Sequence, residues 1–304
     1  MFQNTSYWVL NMSIIASFMG LLVLILRKIK VIPKRVSVFL WIIPFFRMCV
    51  PFGINNPYSL MTLISKFTTR TVTVYEPLDP IKISTSNAVM LADSYAPMVY
   101  KKNILEGVFS VATYVWITVA LALIIAFAVL YFITKREIKD AKKTADGIYL
   151  SDKVDSPAVY GIIKPKIVLP GSFSEANIKY VIRHEKTHIR RGDNFWRLLG
   201  FLAACVHWFN PLSWLFLKAF LEDLEIACDE TAVKNYESDE RKEYAKTLLE
   251  YAGGKNIFVS AFGGAKVRTR IENVLSYKRM TVISAIGFAI LTAAVIFALI
   301  TNAG

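Results

Sequence analysis

The sequence predicts a mainly α-helical membrane protein with about four transmembrane helices and a cytoplasmic-facing domain that carries a small β element. Three observations predict it. Of 304 residues, 55% are hydrophobic and only 19% charged, and the mean hydropathy is +0.43, too apolar for an ordinary soluble domain. The net charge of +13 comes from Lys and Arg that collect at the ends of long uncharged stretches, as the positive-inside rule requires. Between the third and fourth of these stretches lies the pattern His-Glu-x-x-His, with two of the three histidines in the chain. The three cysteines, Cys49, Cys205 and Cys228, are scattered and odd in number, which argues against a disulfide framework or a CxxC knuckle. Because the positive charge is accounted for beside the apolar stretches, direct nucleic-acid binding is not expected.

The N-terminal membrane region, 1–134, holds three spans. Residues 6–26 carry no charge and can cross a hydrocarbon core of about 30 Å at about 1.5 Å per residue. Arg27, Lys28, Lys30, Lys34 and Arg35 follow, so this is an uncleaved anchor with its N-terminus outside; a signal peptide would place its positive charges first. Residues 36–52 return outward, with Arg47 expected to snorkel to the external surface. An external loop, 53–107, has mixed charge, prolines and a β-flavoured piece at 71–75. Residues 108–134 re-enter and end in Lys135, Arg136 and Lys139. The cytoplasmic domain is 135–279, and 280–304 forms a last helix running outward, preceded by Lys278 and Arg279.

Within the cytoplasmic domain, His184-Glu185-Lys186-Thr187-His188 places two imidazoles four residues apart on one helix face, where they can share a zinc ion. Glu185 beside them suits a general base that takes a proton from the attacking water and passes it to the leaving amine. Ser172 and Glu175 form a capping box, Ile178, Val181 and Ile182 keep helical spacing, and Gly192 is the stop. Zinc needs a third protein ligand. Glu225 supplies it best, with Asp229 one turn on to orient a ligating histidine. Cys228 and His207 are rivals: the first is a strong thiolate donor, the second lies in an apolar, aromatic run that suits a structural histidine. Glu222, Asp223 and Glu230 read as solvated neighbours.

This ligand set constrains topology. The uncharged stretch 198–217 is long enough to cross, yet one crossing would separate Glu225 from His184 and His188. It is therefore expected either to be buried in the catalytic domain or to enter and leave the membrane on one side as a re-entrant segment or short hairpin, broken at Asn210-Pro211. Upstream, 158–163 and 166–169 read as two short strands separated by Lys164-Pro165; they form either a substrate-binding edge or a structural hairpin.

The runs HEKTHIRRGDNFWRLL, HWFNPLSWL and EDLEIACDE, in this order within 156–233, resemble the integral-membrane zinc metallopeptidases of the BlaR/MecR antirepressor type. The resemblance implies a gluzincin-like site with zinc on His184, His188 and Glu225, Glu185 catalytic and Asp229 behind the ligands. It implies a bacterial cytoplasmic membrane location, both termini outside, and an active site on the cytoplasmic face. The implied substrate is a cytoplasmic winged-helix repressor of the BlaI/MecI type, in an antibiotic or envelope-stress response. Self-cleavage near the last span is also implied, and Ser260 to Gly264, with Ser260 and Phe262, is a Gly-rich stretch that is either its site or a simple loop. The best-known relatives continue into an external penicillin-binding sensor domain, which is not expected here because four residues follow the last apolar run. Membrane lipid is an implied partner, and a homo-oligomer is compatible with the plan. The alternative to a peptidase is a non-catalytic signal-transducing receptor with a structural metal site.

Overall fold

An uncharged run rich in Leu, Ile and Met has no reason to break, and residues Thr5–Leu26 form one helix, α1. The computed structural model describes residues 5–29, 32–50, 55–56, 106–144, 147–171, 178–250 and 265–277, with short pieces between 286 and 303. Most of the stretch expected to be an external loop, the capping pair Ser172 and Glu175, the stretch around Ser260 and Phe262 and most of the last apolar run lie outside the described residues. The chain is mostly helical with a small sheet. Among the described residues, Trp8–Leu26 and Ser110–Arg136 are long and apolar enough to cross a membrane. The second belongs to α4 (Glu106–Glu137), which presents Val111, Tyr114, Ile125 and Phe132 outward. Its inner side is held by Thr113 Oγ1, which donates to Ser6 Oγ at 2.9 Å, and by Trp116 Nε1, which donates to the Val206 carbonyl at 2.6 Å.

The stretch expected to be one outward helix is two: α2 (Lys34–Leu40) and α3 (Ile42–Cys49). Pro44 explains the break. It has no N–H to give the Leu40 carbonyl and its ring crowds that oxygen. The bonds on either side of the joint are stretched, 3.3 Å from Trp41 N to Ser37 O and 3.4 Å from Phe45 N to Trp41 O. Arg47 does not snorkel outward; it is fully buried in the helix packing, which the break allows by turning α3 into the other helices.

Asn210 and Pro211 end one helix and begin the next. Asn210 caps α7 (Pro211–Ala232) by accepting from Leu212 N at 3.0 Å, and Pro211 takes the first-turn position where a missing N–H costs nothing. The segment 198–217 is thus split between α6 (Asp193–Val206) and α7, a helical hairpin. His207, at its turn, bonds the Met48 carbonyl at 2.8 Å, a structural partnership.

Along α7 and α1 three contacts recur in register. Asn210 Nδ2 donates to Ser13 Oγ and Ser17 Oγ, both at 2.8 Å. Phe216 lies against Gly20, where an added Cβ would stand 2.2 Å from its ring. Arg27 grips Asp223 through Nε to Oδ2 at 2.9 Å and Nη2 to Oδ1 at 3.0 Å. Asp223 and Glu230, read as solvated from sequence, are both buried. Trp41 Nε1 also donates to Asp223, at 2.9 Å. Glu230 accepts from the backbone N–H groups of Lys34 and Arg35 at 3.0 and 3.3 Å, which satisfies the exposed start of α2. Arg27, Lys34 and Arg35 of the basic cluster are therefore ion-pair and hydrogen-bond partners for α7.

The close approach at Gly20 gives a prediction with a diagnostic sign. In an unpacked helix, Gly→Ala stabilises by about 1 kcal/mol. Here Gly20→Ala is expected to destabilise by about 1–3 kcal/mol, because the methyl must displace Phe216. A rise in the thermal unfolding midpoint of the purified protein would contradict the packing described.

Four strands form the sheet: β1 (Lys142–Lys143), β2 (Tyr149–Ser151), β3 (Ala158–Tyr160) and β4 (Lys166–Pro170), in the order β1-β2-β4-β3. β3 and β4 are the pair expected from sequence, antiparallel, with Ala158 opposite Val168 and Tyr160 opposite Lys166. Ile148, Ile167 and Leu169 pack on Val181 of α5 (Ile178–Arg191). The free edge of β3 is partly covered: Asn194 Nδ2 donates to the carbonyls of Val159 and Gly161 at 3.2 and 2.8 Å. Helices α8 (Ser238–Glu250) and α9 (Val267–Leu275) complete a second apolar cluster, with Tyr180, Val233, Tyr244 and Val274 at its centre. A two-residue parallel bridge joins Asn55–Asn56 to Asn302–Ala303.

Candidate metal centre

The helical period brings His184 and His188 to the same side of α5, and both are buried. Their Nε2 atoms face each other at 3.1 Å. The helix ends at Gly192, whose φ of +66° is open to glycine at little cost and turns the chain at once into α6. That turn places Asp193 beside the motif, where its Oδ2 lies 2.6 Å from His188 Nδ1. A carboxylate accepts from His188 Nδ1 at this distance, so in the neutral ring the lone pair is on Nε2.

The other wall is α7. Glu225 Oε2 lies 3.6 Å from His184 Nε2, and Oε1 lies 3.7 Å from His188 Nε2. One turn on, Asp229 Oδ1 is 3.2 Å from His184 Nδ1. Cys228 also belongs to this cluster, with donor atoms of His184, His188 and Cys228 all within 4.8 Å of one another. Its sulfur, however, lies at the other ring nitrogen, 3.6 Å from His184 Nδ1, and donates to the His184 carbonyl at 3.4 Å. Glu225 is the side chain that faces both Nε2 atoms. Glu185 is buried with no hydrogen-bond or ion-pair partner among the described residues.

This donor set fits a zinc ion. Bonds of about 2.0–2.2 Å at tetrahedral angles separate donors by about 3.3–3.6 Å, close to the 3.1, 3.6 and 3.7 Å found here. Two imidazole nitrogens that face each other beside a carboxylate suit a shared cation between them. The electrostatics of the protein alone express the same demand. Burial would lower the His188 pKa, yet Cys228, Glu225 and Asp193 raise it to about 9. Burial would raise Glu225, yet His188, His184, Arg197 and Arg270 hold its carboxyl well below the usual range. Asp229 is held low in the same way, against burial, by Arg270 and His184.

Residues 7–283 match the family described as BlaR1 peptidase M56. The chain belongs to the M56 peptidase family. It is 28% identical over 159 residues to the regulatory protein BlaR1 of Bacillus licheniformis, 49% of this chain and 26% of that protein. It is 29% identical over 107 residues to the methicillin resistance mecR1 protein of Staphylococcus aureus (strain Mu50 / ATCC 700699), 34% of this chain and 18% of that protein. Against BlaR1 of Staphylococcus aureus it is 22% identical over 218 residues, 62% of this chain and 37% of that protein. The matched region thus spans well under half the length of these curated relatives.

Four groups of this M56 centre are not read from the motif. Asp193 orients His188, Arg197 of α6 donates to Glu225 Oε1, and Tyr244 and Arg270 bind Asp229. Asp193 carried a signal, as the first residue past the predicted helix stop. Tyr244 and Arg270 stand 15 and 41 residues from Asp229, and nothing in local spacing announces them.

Proposed function

We propose that this M56 chain is a membrane-embedded zinc endopeptidase that hydrolyses a cytoplasmic protein, a transcriptional repressor of the BlaI/MecI type being the substrate class the family resemblance favours. The observation that carries the reading is the convergence of two Nε2 atoms and the Glu225 carboxylate on one point inside the fold. His184, His188 and Glu225 hold the metal, and a zinc ion there supplies Lewis-acid polarisation of a peptide carbonyl and activation of water. Asp193 and Asp229 fix the rings from behind. Glu185, buried and without a partner among the described residues, holds the proton between its removal from water and its delivery to the amine.

The membrane reading is supported by the register of α7 on α1. The hairpin tip, Asn210, meets Ser13 and Ser17, and Asp223 meets Arg27. Those two points are 13 residues apart on α7, about 20 Å of helix. If Arg27 marks the cytoplasmic surface, the tip lies about two thirds of the way into a core of about 30 Å. The hairpin enters and leaves on one side, and Glu225 returns to the face that holds His184.

The test is cleavage of a purified winged-helix repressor of the BlaI/MecI type by the purified chain in nanodiscs. Cleavage that stops with a zinc chelator and returns with added zinc is expected. A repressor left intact by zinc-loaded protein, yet bound to it, would favour the receptor reading instead.

A further inference from the structure

We propose that Arg270 is a positioning residue of the metal centre: it clamps Asp229 and thereby holds His184 with its Nε2 lone pair turned to the metal site. The inference rests on the metallopeptidase reading above and goes beyond its motif residues.

Arg270 reaches the centre from α9. Its Nε donates to Asp229 Oδ2 at 2.7 Å and its Nη2 to Oδ1 at 2.8 Å, a bidentate fork that fixes the plane of the carboxylate. Asp229 is fully buried and the Arg270 side chain is 17% exposed, so little water competes. The Tyr244 hydroxyl donates to Asp229 Oδ1 at 2.7 Å and lies 2.9 Å from His184 Nδ1.

Donor and acceptor rules then assign every proton. The Tyr244 hydroxyl gives its one proton to Asp229, which only accepts, so its oxygen accepts from His184 Nδ1 and the His184 proton is on Nδ1. Arg270 Nη2 stands 3.3 Å from Nε2 of the same ring. From Nδ1 it is donated to the Tyr244 oxygen, and Tyr244 donates its own proton to Asp229. The chain His184 to Tyr244 to Asp229, closed by Arg270, is consistent only in this direction. It leaves His184 with its lone pair on the side where His188 Nε2 and Glu225 converge. Lysine has a point charge and no fork, so it can neutralise Asp229 without fixing its plane.

A consequence is that α9 completes the centre. Val274, one turn beyond Arg270 on that helix, packs in the cluster with Tyr180, Val233 and Tyr244. The packing of α9 in this cluster is what brings Arg270 to Asp229.

The test measures metal binding by the full-length chain in nanodiscs, with Co2+ as a spectroscopic probe and Zn2+ affinity by competition with a chromophoric chelator. Wild type is expected to give a tetrahedral Co2+ spectrum. Arg270→Ala is expected to bind Zn2+ about 10–100-fold more weakly and to give a weaker, altered Co2+ spectrum while its far-ultraviolet circular dichroism stays that of wild type. Arg270→Lys is expected to fall between the two. If Arg270→Ala does not fold, Arg270→Lys carries the comparison, with a Zn2+ affinity below wild type as the expected result. A folded Arg270→Ala or Arg270→Lys with wild-type affinity and spectrum overturns the proposal. Wild type that binds neither metal overturns the metallopeptidase reading and the inference with it.

Discussion

Glu185→Gln is expected to keep the fold and the zinc content of the wild type and to lose peptidase activity by about 10²–10⁴-fold, the usual contribution of a positioned general base. Glutamine matches the shape of glutamate but cannot take up a proton. Glu185 is not among the groups that converge on the two Nε2 atoms, so metal content and catalysis should separate. Its side chain is buried and has no hydrogen-bond partner among the described residues, so the substitution breaks no described interaction. Zinc content by elemental analysis and repressor cleavage by gel, measured on one preparation, check both halves. Full cleavage by Glu185→Gln would remove the residue from the mechanism. Unchanged signalling in cells without cleavage would favour a receptor with a structural metal.

Asp223→Ala is expected to cost about 3–5 kcal/mol, because it strips one partner from a buried, multiply bonded ion pair. The carboxylate accepts two bonds from Arg27 and one from Trp41, and Lys34 Nζ lies 3.6 Å away. Its loss leaves a guanidinium with, among the described residues, Glu222 at 3.2 Å as its remaining carboxylate partner, and an indole N–H without this acceptor. The expected readout is a large fall in the thermal midpoint, with zinc lost as the fold opens. Glu222→Ala is the control: Glu222 is partly exposed and makes one bond to Arg27, so a change within about 1 kcal/mol is expected. Equal effects from the two substitutions would mean that the Asp223 network does not hold α7 to α1.

The long helices were legible because uncharged length and flanking charge are local properties. The α5 helix was legible for a similar reason: its apolar spacing and the glycine at 192 are both written along the chain. The break at Asn210-Pro211 was equally local, since a cap residue and a proline name their own positions. The joint at Trp41 has a local cause, Pro44, but its signal lies hidden in a uniformly apolar run. Asp223 and Glu230 were misread for a deeper reason. An acid-rich run looks solvated until one knows which face meets Arg27, Lys34 and Arg35, and that is decided by packing between segments almost 200 residues apart. The centre divides along the same line. His184, Glu185, His188, Glu225 and Asp229 belong to short spacings, whereas Tyr244 and Arg270 enter only when α8 and α9 fold against α7.

Asp223 and Glu225 are two residues apart on one rigid helix, about 3 Å along its axis. The first is bolted to Arg27, the second faces the two histidines. In a bilayer whose surface lies at Arg27, the fold acts as a ruler whose cutting mark is set a few ångströms from the lipid headgroups. A scissile bond must come down to that height. On the proposed reading, a folded substrate is selected by reach: it is cut only in a segment long and pliable enough to extend to the membrane surface, whatever residues flank the bond.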